Sequence, residues 1–507
     1  MSATKTFCFA VLLAGFVLQG RACTIFCATN RNAVLVGNNE DGLSKFAGKM
    51  WFVPAGKFGF GRVCFGWYSH AQGGMNDHGL FIDWAALPDP PTPPKRTPGK
   101  LPPDGCMAER ALATCGSVDD VVRLFEKIDY IGNAAHFLVV DATGDTAVGE
   151  WIDGEFKPIR KRGKQMITNF PLANPKAGYS PCKRYETVAG ILDNDPKISS
   201  ELFESILKKT AAKFDDGGTR YSNLYDLTHR KVTVYNEGDF AHAITIDLTT
   251  ELQRGLREVD LKALFVNGRK ELQPPQPKSK RMKTPSVESL ISRANEARGG
   301  KTAVQSVQSY RMTGQMHEAW GDTGEWEISA ASGVRSEKFV FKKLGKFRNG
   351  YDGKRGWQDD PLNGPRFITG RIVEHAQRDA GFFNWQYDPT QYASMQPLGL
   401  QSFEGRNCFA ARFTTQAGLE AVHYFDAESG LLRGIVGTTA LRSGTTWSRI
   451  VYDDYARTDG VLFPTSIRVN EEGFDMSLRV SSVALNEKID FVLPETLRAD
   501  GSGAVKR

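Results

Sequence analysis

Cys23 is the residue that most constrains what this chain can become, because of what precedes it. Lys5 lies ahead of an apolar run from Phe7 to Leu18, and Gly20-Arg21-Ala22 follow. A small positive segment, a short apolar run and small residues at −3 and −1 are typical of a cleavable secretory signal. We therefore predict that residues 1–22 are removed on export, to the periplasm or outside the cell, and that Cys23 begins the mature chain.

A cysteine at a processed terminus carries a thiol and a free α-amine on the same carbon. An α-amine has a reference pKa of about 7.7–8.0, so a useful fraction is unprotonated at neutral pH. A nucleophile and its base can then come from one residue.

Two other fates of the N-terminal segment are open. It could be retained as an anchor, although a run of about twelve apolar residues is too short to span a bilayer. Cys23 could instead be a lipid-modified cysteine of a membrane-anchored lipoprotein. Such sites usually carry a Leu-like residue at −3 and small residues at −2 and −1, whereas Gly20 and Arg21 stand at −3 and −2 here.

The bulk composition narrows the class of protein. A length of 507 residues is too great for a single core and predicts two to four domains. The net charge of +6 is mild for this length, and the sequence has no basic stripe, so nucleic-acid binding is not expected. The histidines are scattered, with neither a CxxC pair nor an HExxH motif, so no metal site or cofactor is predicted.

Seven of the eight cysteines remain once Cys8 leaves with the signal. An odd number in an exported protein implies at least one free thiol. If Cys23 is that thiol, the other six could form up to three disulfides, and the sequence does not say how many form.

The chain has a composition break near its middle. Short strands mixed with a few helices are predicted over residues 23–267, including a helix that starts at Ser117. Residues 268–285 are rich in Gln, Pro, Lys and Arg, which indicates a linker. Residues 286–507 are β-rich after one helix, for which Thr284 is the expected cap and Pro285 the first residue.

Asp41 is the first candidate partner of Cys23. Cys23-Thr24-Ile25-Phe26 opens one predicted strand, and Gly37 to Asp41 ends the next. A two-stranded hairpin returns the end of its second strand to the start of its first, so Asp41 is expected near the new N-terminus. The alternative is a turn carboxylate that satisfies its own backbone.

Five short motifs occur in order after the predicted cleavage site. They are Cys23-Thr24, Gly37-x-Asn39-x-Asp41, Gly74-Met75-Asn76-Asp77-His78-Gly79-Leu80, Thr168-Asn169 and Tyr221-Ser222-Asn223. Over residues 23–265 this combination resembles the linear-amide hydrolases of the N-terminal-nucleophile superfamily. That group includes choloylglycine hydrolases, penicillin V acylases and related acyltransferases.

The resemblance implies a four-layer αββα sandwich with Cys23 as nucleophile and Asp41 as orienting carboxylate. It also implies that Asn169 and a backbone N–H near Ala86 stabilise the oxyanion. Arg184 matches the family's downstream arginine, although it follows Asn169 more closely than in bile-acid-cleaving relatives. His78 is an alternative base. The other interpretation is that it is a histidine in a hydrated turn with no catalytic role.

One departure bears on the substrate. The family's usual arginine in Gly-Arg-Asn-x-Asp is Asn38 here. An arginine next to a thiol lowers its pKa and can contact an anionic substrate, so its absence weakens the case for bile salts. The implied substrate is a small N-acyl amide whose acyl and amine parts are undetermined.

The C-terminal half carries no convincing catalytic set. Its helix-then-strands pattern, with Tyr351-Asp-Gly-x-x-Gly-Trp357 and a hairpin from Tyr424 to Leu431, resembles periplasmic lipoprotein carriers. That resemblance implies a half-open β-barrel that can hold a lipid or acyl chain. The full prediction is thus an α+β chain: the αββα sandwich, then a mostly antiparallel β half-barrel with a helix.

The sequence favours an exported cysteine amidohydrolase. An acyltransferase that uses the same thioester is one alternative, and a non-enzymatic envelope protein that binds hydrophobic ligands is another. The oligomeric state is not predicted.

Overall fold

The computed structural model describes most of the chain. The described residues are 23–56, 59–67, 70–87, 106–129, 135–152, 154–174, 182–194, 197–272, 283–319, 321–361, 364–381, 387, 389–441, 444–471, 474–489 and 493–498. The predicted signal segment, residues 1–22, lies outside them. In these ranges no helix combines the length and apolar character needed to cross a bilayer.

The chain divides into two compact units, and the division falls between Pro274 and Pro275. We call them the N-terminal unit, up to Pro274, and the C-terminal unit, from Pro275. Both combine helices with sheets, and every strand pairing within the sheets is antiparallel.

The N-terminal unit contains fifteen strands and six helices among its described residues. The strands are β1 (Thr24–Thr29), β2 (Val34–Leu43), β3 (Lys49–Val53), β4 (Arg62–Trp67), β5 (His70–Asn76), β6 (Phe81–Ala86), β7 (Ala135–Val140), β8 (Asp145–Ile152), β9 (Glu155–Arg162), β10 (Lys164–Ile167), β11 (Lys213–Phe214), β12 (Gly217–Asp226), β13 (Lys231–Asn236), β14 (Asp239–Asp247) and β15 (Arg257–Asp260). The helices are α1 (Met107–Thr114), α2 (Val118–Glu126), α3 (Lys183–Asn194), α4 (Ser200–Thr210), α5 (Leu248–Leu252) and α6 (Leu261–Asn267).

These strands form two sheets. One has the order β10-β1-β2-β12-β13-β14, with β11 on β12, and the other runs β15-β3-β4-β5-β6-β7-β8-β9. Helices α3 and α4 pack on the first sheet and α1 and α2 on the second, while β1 contacts β6 and β7 of the opposite sheet. Buried residues therefore run along both faces of the central strands, as in β2, whose first nine residues are all buried.

Local sequence explains where two of these helices begin. The Ser117 side chain accepts a hydrogen bond from the Asp120 N–H, so α2 starts where the sequence predicts. Its apolar residues Val121 and Phe125 are buried. Ser199 caps α4 in the same way through the Leu202 N–H.

The C-terminal unit contains fifteen strands and four helices among its described residues. The helices are α7 (Val287–Arg298), α8 (Lys301–Ser306), α9 (Arg371–Gly381) and α10 (Glu495–Arg498). The strands are β16 (Ser309–Glu318), β17 (Thr323–Ala331), β18 (Val334–Phe341), β19 (Gly345–Tyr351), β20 (Gly356–Asp359), β21 (Arg366–Phe367), β22 (Tyr392–Phe403), β23 (Arg406–Thr415), β24 (Glu420–Asp426), β25 (Leu432–Leu441), β26 (Gly444–Tyr452), β27 (Tyr455–Thr458), β28 (Val461–Pro464), β29 (Ser466–Glu471) and β30 (Phe474–Leu485).

Thirteen of these strands make one sheet, in the order β21-β20-β19-β18-β17-β16-β30-β29-β26-β25-β24-β23-β22, and β27 pairs with β28. Helix α7 packs on β22 and β28, and α9 packs on β18, β19, β20 and β25. The core of this unit is apolar and aromatic, with Trp326, Phe409 and Phe425 almost fully buried.

The start of α7 corrects a prediction. Ser286, and not Thr284, is its cap, because the Ser286 side chain accepts from the Ser289 N–H at 3.2 Å. The helix therefore begins at Val287, two residues after Pro285, and ends at Arg298 with Gly299 as its C-cap. Residues 268–272 of the predicted linker form a short 3₁₀ helix, and residues 273–282 lie outside the described ranges.

Candidate functional site

Cys23 lies immediately before β1 and is almost fully buried. Because Thr24 pairs with Asn39 across β1 and β2, Cys23 faces the following part of β2. Its Sγ donates to Oε1 of Glu40 across 3.6 Å. Burial raises the pKa of the Cys23 thiol well above its usual value, and the carboxyl groups of Glu40 and Asp41 raise it further. These effects make the thiol harder to ionise, so its use as a nucleophile needs a proton acceptor.

Asp41 lies next to Cys23 in space, where the hairpin argument places it. The Asp41 backbone N–H contributes a hydrogen bond that lowers the pKa of the Cys23 thiol. The Asp41 carboxyl is buried, and its Oδ1 accepts the Thr219 hydroxyl at 2.5 Å. Burial raises the pKa of Asp41 to about 7, while the Thr219 hydrogen bond and the charge of Arg184 act to lower it.

Arg184 connects Cys23 with Asn169. Its Nη1 donates to the Cys23 carbonyl and to the Thr24 hydroxyl, each at 2.7 Å, and its Nη2 donates to Asn169 Oδ1 at 3.0 Å. The Asn169 Nδ2 in turn donates to the Ala86 carbonyl at 2.7 Å. The structure thus brings Asn169, Arg184 and Ala86 together beside Cys23, although Ala86 contacts Asn169 through its carbonyl and not through its N–H.

The segment that carries Asn169 is held from β7 and β8. His136 Nε2 lies 2.7 Å from the Thr168 carbonyl, and its Nδ1 lies 2.8 Å from Oε1 of Glu150. A carbonyl only accepts, so Nε2 carries a proton. Glu150 also accepts the Leu172 N–H at 2.6 Å. Burial acts to raise the pKa of Glu150, but the hydrogen bonds from His136 and the backbone hold it below its usual value.

The prediction from the sequence motifs missed two carboxyl groups near Cys23. They are Glu40 of β2 and Asp83 of β6, and the Asn38 Nδ2 contacts both, at 3.5 Å from Glu40 Oε2 and 2.7 Å from Asp83 Oδ2. The one signal in the sequence was a lone acid, Asp83, inside the apolar strand Phe81–Ala86. A buried charge needs a partner or a proton, so such a residue merits attention.

Several motif residues support the fold and do not face Cys23. Asn39 donates to the Leu207 carbonyl and accepts the Ser222 hydroxyl, which ties β2 to α4 and β12. Asn76 donates to the carbonyls of Leu112 and Cys115. These side chains satisfy backbone groups that burial would otherwise leave unpaired.

Gly37 is required by close packing. A Cβ at this position would lie 2.4 Å from the ring of Phe26 on the neighbouring strand. Any larger residue would push that ring out of the core beneath α3 and α4, in which Phe26 and Phe203 are buried.

Other candidates fall away from the site. His78 is half exposed and contacts Asp77 in the turn after β5, which agrees with a histidine in a hydrated turn. Cys27 is buried, and the seven cysteines in the described part of the chain form no disulfide. Within the described part of the chain, no group of three or more His, Cys, Asp or Glu side chains is arranged to hold a metal ion.

No protein-family model matches the sequence, and a search of curated proteins found no match either. Solved structures do match, in two groups. In the first group, penicillin V acylase from Agrobacterium tumefaciens has a TM-score of 0.40 and 19% identity and covers 47% of this chain and 91% of its own. A variant of conjugated bile acid hydrolase from Clostridium perfringens has a TM-score of 0.40 and 18% identity, with 47% and 97% covered.

The second group is of a different kind. A LolA superfamily protein from Nitrosomonas europaea has a TM-score of 0.30 and 14% identity and covers 42% of this chain and 99% of its own. Both resemblances that the sequence predicts are thus found among solved structures. One part of the chain is similar in fold to penicillin V acylase and bile acid hydrolase, and another part is similar to LolA-like proteins.

Proposed function

We propose that the N-terminal unit is an exported amidohydrolase that cleaves the C–N bond of linear N-acyl amides through a thioester on Cys23. Removal of residues 1–22 would free the α-amine of Cys23. The observation that carries this proposal is the set of contacts made by Arg184. One guanidinium fixes the Cys23 carbonyl and the Asn169 amide together, so a nucleophile and an oxyanion donor share one rigid support.

The proposed reaction begins with attack of Cys23 Sγ on the amide carbonyl. Asn169 has two N–H donors, and one is used on the Ala86 carbonyl, so the second can donate to the oxyanion. A backbone N–H near Ala86 is the proposed second donor. The α-amine hands a proton to the leaving amine, and water then hydrolyses the thioester. With another amine in place of water, the same thioester would give acyl transfer.

The domain organisation belongs to this proposal. The contacts of α3 and α4 with one sheet, of α1 and α2 with the other, and of β1 with β6 support a four-layer αββα sandwich over residues 23–267. Residues 268–285 would be the linker, and residues 286–507 would be the lipoprotein-carrier-like half-barrel. The unit boundary at Pro274 lies inside the proposed linker.

The test uses paired cysteine variants assayed on a panel of N-acyl amides. Cys23→Ser should keep the fold and lose nearly all cleavage, because a hydroxyl forms an anion far less readily than a thiol. Cys27→Ser is the matched control, since Cys27 is also buried and lies only four residues after Cys23. Near-normal cleavage by correctly processed Cys23→Ser protein would rule out the thioester route.

The role of the terminal amine has its own control. A chain with one extra Met before Cys23 keeps the thiol but replaces the amine with an amide. We expect this chain to be inactive. Full activity, in protein shown by mass spectrometry to retain the Met, would assign the proton transfer to the leaving amine to another group.

A second function is proposed for the C-terminal unit, namely binding of a lipid or acyl chain. The supporting observation is a set of partly buried apolar side chains that pack against the core, among them Met395, Leu400, Ile450 and Met476. A pocket of about 250 Å³ is lined by Gln315, Glu325, Glu327 and Lys338 together with Trp326 and Val340, and we place the proposed ligand against the more apolar side chains instead. A fluorescent fatty-acid probe should bind the full chain saturably, and Ile450→Glu should weaken binding. Equal binding by Ile450→Glu and the unmodified chain would reject this site.

A further inference from the structure

Glu40 is the group whose side chain meets the reactive atom of Cys23. Its Oε1 lies 3.6 Å from Sγ, and the carboxyl is 1% exposed. No family motif assigns Glu40 a task, because the predicted carboxylate was its neighbour Asp41. Asp41 presents its backbone N–H to Cys23 and turns its side chain to Thr219. The thiol proton therefore faces Glu40.

Glu40 is held in a chain of three side chains. The Asn38 amide contacts Glu40 Oε2 at 3.5 Å and Asp83 Oδ2 at 2.7 Å, and Asp83 Oδ1 accepts the Trp84 N–H at 2.7 Å. All three residues are buried. Two carboxyl groups bridged by one amide in a dry interior repel each other as anions, so the pair holds a proton to higher pH than an isolated carboxyl would.

The titratable groups around Glu40 come from each neighbouring strand. Cys23 faces it from the start of β1, Asp83 from β6, and Tyr221 and Tyr225 from β12, with Asp41 next to it on β2. Tyr221 is directly opposite Glu40 in the β2–β12 register. Burial raises the pKa of Glu40 well above its usual value, and Asp83 and Asp41 raise it further. Arg184 acts on Asp41.

We propose that Glu40 is a catalytic residue that takes the proton of the Cys23 thiol and later returns it, with Asn38 and Asp83 as positioning residues. This inference rests on the proposed amide cleavage. It assigns the thiol proton to Glu40, where the sequence alone pointed to the α-amine, and leaves the α-ammonium to protonate the leaving amine.

The proton balance closes over both half-reactions. Acylation needs Glu40 in its ionised form, which its raised pKa delays to higher pH. In acylation the S–C bond forms, the thiol proton moves to the Glu40 carboxylate, the α-ammonium gives a proton to the amide nitrogen, and the C–N bond breaks. In deacylation the neutral α-amine takes a proton from water as the hydroxyl attacks the thioester. The S–C bond then breaks, and Glu40 returns its proton to Sγ.

The test is the pH dependence of Cys23 alkylation by iodoacetamide in processed protein, located by fragmentation of peptide 23–31. Only the thiolate reacts. If Glu40 and Cys23 exchange a proton, ionisation of Glu40 makes the thiol harder to ionise. The alkylation rate of the unmodified enzyme should then rise with pH and level off once Glu40 ionises. It should stay level until the thiol itself titrates.

The alkylation rate of Glu40→Gln should equal that of the unmodified enzyme at low pH. It should keep rising with pH where the rate of the unmodified enzyme levels off. Any inflection from the α-amine occurs in both proteins and cancels in the comparison. Glu204→Gln is the matched control, because Glu204 is a partly buried glutamate of α4 that accepts the Tyr235 hydroxyl instead. Parallel profiles for Glu40→Gln and the unmodified enzyme would overturn the proposal.

Amide cleavage should move in the opposite direction. Loss of a general acid–base group typically costs about 10²–10⁴-fold, so Glu40→Gln should be more reactive to iodoacetamide above the inflection yet cleave amides far more slowly. A structural defect that exposed the buried Cys23 would raise alkylation at every pH, whereas loss of the Glu40 charge raises it only above the inflection. Unchanged cleavage in Glu40→Gln would overturn the catalytic role.

Asp83→Asn gives a second, independent readout. Removing the Asp83 charge lowers the pKa of Glu40, so the levelling should begin at lower pH. If the inflection of the alkylation rate stayed at the same pH, Asp83 would have no role in setting the pKa of Glu40. If the unmodified protein cleaves no amide but shows the Glu40-dependent levelling, the amidase assignment fails while the proton exchange stands.

Discussion

Arg184 Nη2 donates to Asn169 Oδ1 across 3.0 Å. With its side-chain oxygen fixed in this way, the Asn169 amide is oriented so that Nδ2 donates to the Ala86 carbonyl at 2.7 Å. Arg184 therefore acts on Asn169, the proposed oxyanion donor, through a hydrogen bond. Its charge also lowers the pKa of Asp41, and its Nη1 donates to the Cys23 carbonyl.

Arg184→Lys should lower kcat by about 10²-fold, because a misplacement of about 1 Å at a catalytic group costs that much. A lysine keeps the charge but cannot hold Cys23, Thr24 and Asn169 at once. The measurement is a double-mutant cycle with Asn169→Ala. If Arg184 acts through Asn169, the double variant should be little worse than Asn169→Ala alone. Fully additive losses would contradict this role, and the exposed Arg123→Lys is the control.

Glu150→Gln should lower kcat with little change in KM. Glu150 holds both the His136 ring and the backbone after Asn169, so its loss should loosen Asn169, the proposed oxyanion donor, and leave ground-state contacts in place. Steady-state kinetics on the amide panel give the result. A rise in KM alone would show instead that this segment binds substrate.

Asp83→Asn should flatten the pH dependence of stability. Burial raises the pKa of Asp83 from 3.8 to about 8, and that of Asp41 to about 7. The folded pKa lies above the unfolded one, so the stabilisation is complete below about pH 4 and is lost as pH rises through 8. Each such group lowers the free energy of unfolding by about 1.4 kcal/mol per pH unit in that window.

Urea unfolding at pH 5, 6 and 7 measures this slope. The slope of the unmodified chain should be steeper than that of Asp83→Asn, and the exposed Asp239→Asn should match the unmodified chain. Equal slopes in Asp83→Asn and the unmodified chain would mean that Asp83 is ionised throughout.

Local signals predicted much of the fold. Ser117 caps α2 where the sequence indicates, and the hairpin from Thr24 to Leu43 brings Asp41 beside Cys23. The start of α7 moved by two residues because Thr and Ser are both common helix caps, and it is the Ser286 side chain that accepts the Ser289 N–H.

The Asn38–Glu40–Asp83 chain could not be predicted because it joins strands of two sheets. Asn38 and Asp83 are 45 residues apart, and nothing local in either strand says that they meet. The hairpin argument places the end of β2 near Cys23 but does not say which group of each residue faces it. Asp41 meets Cys23 with its backbone N–H, and Glu40 meets it with its side chain.

The most direct test of the central claim is acid-quenched mass spectrometry of the processed protein during turnover of an N-acyl amide. The account predicts an acyl group on the N-terminal peptide, fragmenting to a thioester at Cys23, which accumulates early and disappears as substrate is consumed. Cleavage of the same amide with no acyl group on Cys23, or with the adduct on Cys27, would contradict it.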